Sequence, residues 1–218
     1  LKIDLNGNEE WSQTYGFNHE DNGNAVQQTL DGGFIIIGHT GSHPLFDLLL
    51  IKTDSVGNVE WHMIDNVNEQ DEIGFWIEQT QDSGFVLTGR AWETNNWSGQ
   101  TGIILKKIDS EGNVEWSNPH SGDEGRYVEQ TLDGGYIITG GTYSNAQYDG
   151  FLIKTDSLGN EEWFQYYPNS HYGLSVHQTL EGEYIFGGTI YGDYFKSMLM
   201  KVDSGGNELW NNSFDNAN

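Results

Sequence analysis

The chain is 218 residues long, has no cysteine, and carries 33 acidic against 9 basic side chains, a net charge of −24. That balance repels nucleic acid and anionic membrane surfaces, and without thiols neither disulfides nor thiolate metal sites form. Hydrophobic residues are only 35% and no apolar run is long enough to span a bilayer, so no membrane insertion is expected, while an aromatic share of 13% can fill a core with few, large side chains.

The first sixteen residues begin in the middle of a phrase that recurs along the whole chain. An apolar run ends in Lys-x-Asp, a Gly-Asn pair follows, and a Trp closes it. The aspartates are Asp4, Asp54, Asp109, Asp156 and Asp203; the tryptophans seven residues on are Trp11, Trp61, Trp116, Trp163 and Trp210. A second phrase runs from Gly23 to Gly38 and returns at Gly74–Gly89, Gly125–Gly140 and Gly173–Gly188. Each copy holds a Gln-Thr pair, a turn of the Asp-Gly-Gly kind and an aromatic, β-branched run such as Phe34 to Ile37. Asp/Gly turns supply the positive φ of tight hairpins, and a continuous apolar run marks a strand buried on both faces. No segment has a sustained 3.6-residue apolar period, so helix is not expected.

Each unit of about 50 residues therefore reads as four short antiparallel strands with Gly turns and one Trp. That is the pattern of a β-propeller blade. The expected fold is all-β, one β-propeller domain over 1–218. It has four full blades near 21–64, 71–116, 123–166 and 171–213, and a half-blade at 1–16. Five blades need two more strands, so a fragment of a larger ring, in a longer multidomain chain, is the favoured count. The start at Leu1 rather than Met accords with a processed product or a piece of something longer.

The phrases Ser-Val-His-Gln-Thr (175–179), Gln-Gln-Thr-Leu-Asp-Gly-Gly-Phe-Ile-Ile-Ile-Gly (27–38) and Leu-Ile-Lys-Thr-Asp-Ser-Leu-Gly-Asn-Glu-Glu-Trp (152–163) carry a resemblance. The chain resembles, over its whole length, the repeats of about fifty residues in large secreted proteins of bacteria and archaea, read as β-propellers and often joined to adhesion modules or sorting tails. The resemblance implies an extracellular or cell-surface address and leaves the activity open.

Residues kept in every unit answer a packing need shared by every unit, so the site is sought where the repeat breaks. The Asp-x-x-Gly-Asn turns read as structural, with the Asp accepting backbone N–H bonds; a calcium loop needs several ligands, and each turn has one Asp, so no cofactor is expected, with calcium as the alternative. The repeat lysines are expected to pair with Glu10, Glu60, Glu115 and Glu162 across the strand, worth little if exposed. Asp21, Glu72, Asp123 and His171 occupy one aligned position at the start of the first strand, where solvated side chains capping the following Gly turn are the preferred reading and a ring of carboxylates binding a cation or a sugar the alternative. The stretch from Trp92 to Gln100 is the longest insertion, with Trp92 and Trp97 among amides. Aromatic faces beside amides and carboxylates are what sugar rings stack and hydrogen-bond on. Arg90 and Arg126 stand off the repeat; each is able to grip a carboxylate, and internal pairing is the preferred reading.

The sequence thus points first to a non-catalytic extracellular binding or adhesion module for a glycan or an extracellular protein. The second reading is a glycosidase or lyase using carboxylates at the channel mouth, a pair about 5 to 9.5 Å apart. The third is a structural spacer or surface-layer component.

Overall fold

The computed structural model describes residues 1–17, 20–42, 45–65, 70–93, 101–144, 147–168, 170–191 and 195–214. The described residues form an all-β chain of eighteen strands with no helix. Strands β1 (Lys2–Ile3) and β2 (Glu9–Trp11) make a two-stranded sheet. Four four-stranded antiparallel meanders follow. The first holds β3 (Glu20–Gln28), β4 (Phe34–Ser42), β5 (Leu45–Thr53) and β6 (Val59–Asp65). The second holds β7 (Gln70–Gln79), β8 (Phe85–Glu93), β9 (Thr101–Ile108) and β10 (Val114–Ser117). The third holds β11 (Glu124–Gln130), β12 (Tyr136–Ser144), β13 (Gln147–Thr155) and β14 (Glu161–Tyr167). The fourth holds β15 (Ser170–Gln178), β16 (Tyr184–Ile190), β17 (Lys196–Val202) and β18 (Glu208–Phe214).

The core lies between consecutive sheets. The middle strands of the first sheet send Ile35, Ile37, Leu48 and Leu50 against Ile77, Phe85 and Leu87 of the second. Alternate residues of β8 and β9, among them Val86, Ile103 and Leu105, meet Val128, Tyr136 and Ile138 of the third. Ile137 and Leu152 then meet Val176, Tyr184 and Phe186 of the fourth. Period-2 alternation thus gives the middle strands of the second and third sheets two apolar faces, one for each neighbour, as their unbroken apolar runs require.

Recurring polar links set the sheets in register with each other. In the second, third and fourth sheets the Gln of the Gln-Thr pair caps the first turn of the sheet before it. Leu30 N–H donates to Gln79 Oε1 (2.8 Å), Gln81 N–H to Gln130 Oε1 (2.9 Å) and Leu132 N–H to Gln178 Oε1 (2.7 Å). The repeat tryptophans of the first four copies reach forward instead. Trp11, Trp61, Trp116 and Trp163 stand edge-on to Phe34, Phe85, Tyr136 and Tyr184, at centroid distances of 5.6, 6.3, 5.6 and 5.9 Å. They also cover the Gly of the next sheet's outer turn: a Cβ at Gly159 would stand 2.6 Å from Trp116, and its φ of +77° suits glycine in any case.

Of the repeat lysines, Lys2 makes the expected exposed cross-strand pair with Glu10, but three others are buried. Lys52, Lys107 and Lys154 are buried, and each Nζ bridges the acid of the inner turn to the expected Glu: Asp31 and Glu60, Asp82 and Glu115, Asp133 and Glu162. The ammonium also donates to a main-chain carbonyl of the neighbouring residue (Lys52 to Thr53, 3.0 Å). Each ammonium is buried while its two acids stay about half exposed, so the cost of losing the acids falls on the lysine, which would be left charged out of solvent.

Candidate ligand-binding edge

The first strands share an irregularity that shapes one end of every sheet. Pairing with the second strand slips at Gly23/Ala25, Gly74/Trp76, Gly125/Tyr127 and Gly173/Ser175, leaving Asn24, Phe75, Arg126 and Leu174 as bulge residues. Opposite each bulge stands a glycine, because the first strand's backbone comes too close for a side chain. A Cβ at Gly38, Gly89, Gly140 or Gly188 would lie 1.8–2.1 Å from a main-chain oxygen. A bulge re-aims its side chain out of the pleat. Arg126 is therefore turned across the sheets: its guanidinium lies 4.3 Å from the ring of Phe75 and 5.6 Å from that of Tyr172, and Nη2 donates to Glu124 Oε1 (2.7 Å). Such contacts are cation–π in geometry and place the arginine between three sheets. Neither the bulge nor these ring contacts were legible in the sequence beyond Arg126 being out of pattern.

The aligned acids sit two residues before the bulge glycines, and each is held within the protein. Asp21 Oδ2 accepts from Phe17 N–H (2.7 Å), and Asp123 Oδ2 accepts from Tyr143 N–H. Glu72 is buried and accepts two bonds from Lys106 Nζ (2.9 and 3.2 Å), which also pairs with Asp65 Oδ2 at 2.6 Å on the preceding sheet. Burial raises the Glu72 carboxyl above its ordinary value, against the pull of Lys106. His171 lies on β15; its side chain is outside the described residues. Among the described residues no three of His, Asp or Glu converge as a metal-holding group. Lys106 is a residue of this end that the repeat logic passed over. The signal was present: Lys106 precedes the repeat Lys107 where the other units have Ile51, Ile153 and Met200.

Arg90 faces Asp71 across the strand pair, 3.9 Å apart, and Asp71 Oδ1 accepts from Phe46 N–H of the preceding sheet (3.0 Å). His39 beside them is pushed down by burial, so it is neutral at pH 7. Both arginines thus pair inside the chain.

The second strands end at the same edge, and there the exposed aromatics gather. Trp92, Tyr143 and Tyr191 each stand three residues beyond the glycine opposite the bulge, and they are 43%, 59% and 63% exposed. Tyr143 meets Tyr148 edge-on (5.1 Å), and Tyr148 stacks on Tyr172 of the next sheet (4.7 Å, 29°). Tyr191 meets Phe195 (5.6 Å). Trp97 lies outside the described residues. The insertion singled out Trp92 in the sequence; Tyr143 and Tyr191, which share its register, were passed over.

A further titratable cluster lies on the first strands, beyond the bulge. Trp76 stacks on Tyr127 (4.6 Å, 30°), Tyr127 meets His177 (5.4 Å), and His177 Nδ1 is 2.5 Å from Glu129 Oε2. Glu78 beside them is pushed up to about 7, chiefly by burial and further by the Glu129 charge, although Gln130 N–H donates to it (3.2 Å). The outer turns spend their acids locally. Asp54 Oδ1 accepts from Val56 and Asn58 N–H (2.9 and 2.8 Å) and Oδ2 from Asn58 Nδ2 (2.8 Å), and the other four turns repeat the pattern. These carboxylates hold their own loops, which is the structural reading of the turn.

No family model matches the chain, and no curated protein matches it. Among solved structures, it is similar to a protein of unknown function from Bacteroides caccae, at 12% identity with a TM-score of 0.41. That likeness covers 92% of this chain and 84% of the other.

Proposed function

We propose that the four meanders are blades of an extracellular or cell-surface β-propeller, and that this edge is a non-catalytic binding site for glycan. The observation that carries the binding reading is the row of exposed rings at one register position, Trp92, Tyr143 and Tyr191, set among acids. Tyr and Trp offer an apolar face for the C–H side of a sugar and a polar handle for its hydroxyls. The excess of carboxylates over basic groups repels anionic ligands. The blade reading draws support from the meander of each sheet, from the packing of each first strand on the middle strands of the sheet before it, and from the forward-reaching Trp.

Glycan-array screening followed by calorimetry tests the reading. A neutral oligosaccharide is expected to bind, with Tyr143→Ala and Trp92→Ala each weakening it about tenfold or more. No bound glycan, or an affinity that both substitutions leave unchanged, overturns it and returns the edge to a protein ligand.

A further inference from the structure

The first four-stranded sheet has one face that the other three bury. Val26 is 60% exposed, whereas its counterparts Ile77, Val128 and Val176 are fully buried under the middle strands of the preceding sheet. Phe34 and Ile36 are half-buried where Phe85, Tyr136, Tyr184, Leu87, Ile138 and Phe186 are buried. A cavity of about 530 Å³ opens over this face, walled by β1 and β2 through Leu1, Lys2 and Trp11 and floored by Val26, Phe34 and Ile36.

Two polar groups on that face are partnered differently from their counterparts. Gln79, Gln130 and Gln178 each accept the N–H after the Thr of the preceding sheet's inner turn; among the described residues Gln28 is exposed and has no such donor. Lys52, Lys107 and Lys154 each bridge two acids; among the described residues Lys2 pairs with Glu10 alone. Elsewhere in the chain both contacts come from one element, the hairpin of a sheet's first two strands with its Thr-x-Asp turn.

We propose that this face is a docking surface for a β-hairpin of the repeat's own kind, which pairs along the free edge of β1. The hairpin covers Val26 and Ile36 with its apolar second strand, brings its turn Asp to Lys2 and gives a main-chain N–H to Gln28. Three interfaces within the chain already have this composition, so the occupant is read from its counterparts, and an open strand edge accepts a partner by main-chain hydrogen bonding. The inference is independent of what the aromatic edge binds.

The test appends a copy of residues 123–152 ahead of Leu1, which continues the third sheet's hairpin and third strand directly into β1 in register (Lys154 of one corresponds to Lys2 of the other). The fusion is expected to raise Tm by about 5 °C and to slow amide exchange at Lys2, Ile3 and Val26 by about tenfold or more. Val26→Asp is expected to leave the Tm of the unextended chain nearly unchanged and to cancel most of the gain in the fusion. Asp133→Asn in the appended copy is expected to remove part of it. A fusion with unchanged Tm and unprotected β1 amides overturns the proposal. So does a self-associating chain whose Val26 is protected without the hairpin and which the hairpin does not dissociate, for then a second copy occupies the face.

Discussion

Lys106 puts a charge where its counterparts Ile51, Ile153 and Met200 are apolar. The charge is tolerated because Glu72 and Asp65 meet it from two sheets, at 2.9 and 2.6 Å. A buried pair of this kind contributes little over an apolar replacement, but breaking it strands the remaining charge. Lys106→Met is therefore expected to lower stability by about 3 kcal/mol, and adding Glu72→Gln to recover most of that loss. Urea unfolding of the two single variants and the double measures the coupling. A loss under about 1 kcal/mol for Lys106→Met would show that the buried lysine, through Asp65, does not hold the second sheet to the first. At the same scale, Ser83 takes φ +70°, the left-handed conformation that Gly32, Gly134 and Gly182 adopt at the equivalent turns. Glycine there is a backbone requirement of the turn, and serine meets it under strain.

At the scale of the element, the inner turn is a small machine for neutralising a buried lysine. In the third sheet, Asp133 accepts from Thr131 Oγ1 (2.6 Å) and Gly135 N–H (2.9 Å) and pairs with Lys154 (2.9 Å). Burial would raise its carboxyl, but these donors outweigh it and hold the group at about 2 against an ordinary 3.8. A carboxyl depressed in the folded state adds stability above its unfolded pKa and loses it as pH falls through the folded value. Asp133→Asn is accordingly expected to lower Tm by about 5 °C at pH 7, with the gap closing between pH 3.8 and about 2. Thermal scans of both proteins from pH 7 to pH 2 check this, and a gap constant with pH would assign the loss to packing instead.

At the scale of the whole molecule, stability is a balance between buried bridges and surface repulsion. The net charge of −24 is spread over a chain whose basic groups are largely consumed inside it. Salt screens exposed charges far more than buried pairs. Raising NaCl from about 10 mM to about 500 mM is therefore expected to raise Tm by several degrees. A Tm that falls with salt would mean that ion pairing, not self-repulsion, dominates the electrostatics. The same acidity bears on the proposed ligand: an edge rich in carboxylates and open rings favours neutral or cationic partners over anionic ones.

Period, turn chemistry and strand character were determined by the sequence alone. They are local: Gly at positive φ, Asp capping its own loop and alternating apolar residues act over fewer than ten residues, and their repetition marks four sheets and a strand pair. The continuous apolar run of Phe34 to Ile37 implied two covered faces; Ile35 and Ile37 are fully buried on one, whereas Phe34 and Ile36 on the other are only half-buried. Only the tertiary structure decided where side chains go when their partner is a whole unit away. Gln130 and Gln81, Lys106 and Asp65, and Trp116 and Gly159 are 40 to 50 residues apart and meet because sheets stack face to face. The re-aiming of Arg126 by a bulge, and the alignment of Tyr143 and Tyr191 with Trp92, likewise depend on register between strands. That register is set by the packing of both faces together, which no single segment encodes.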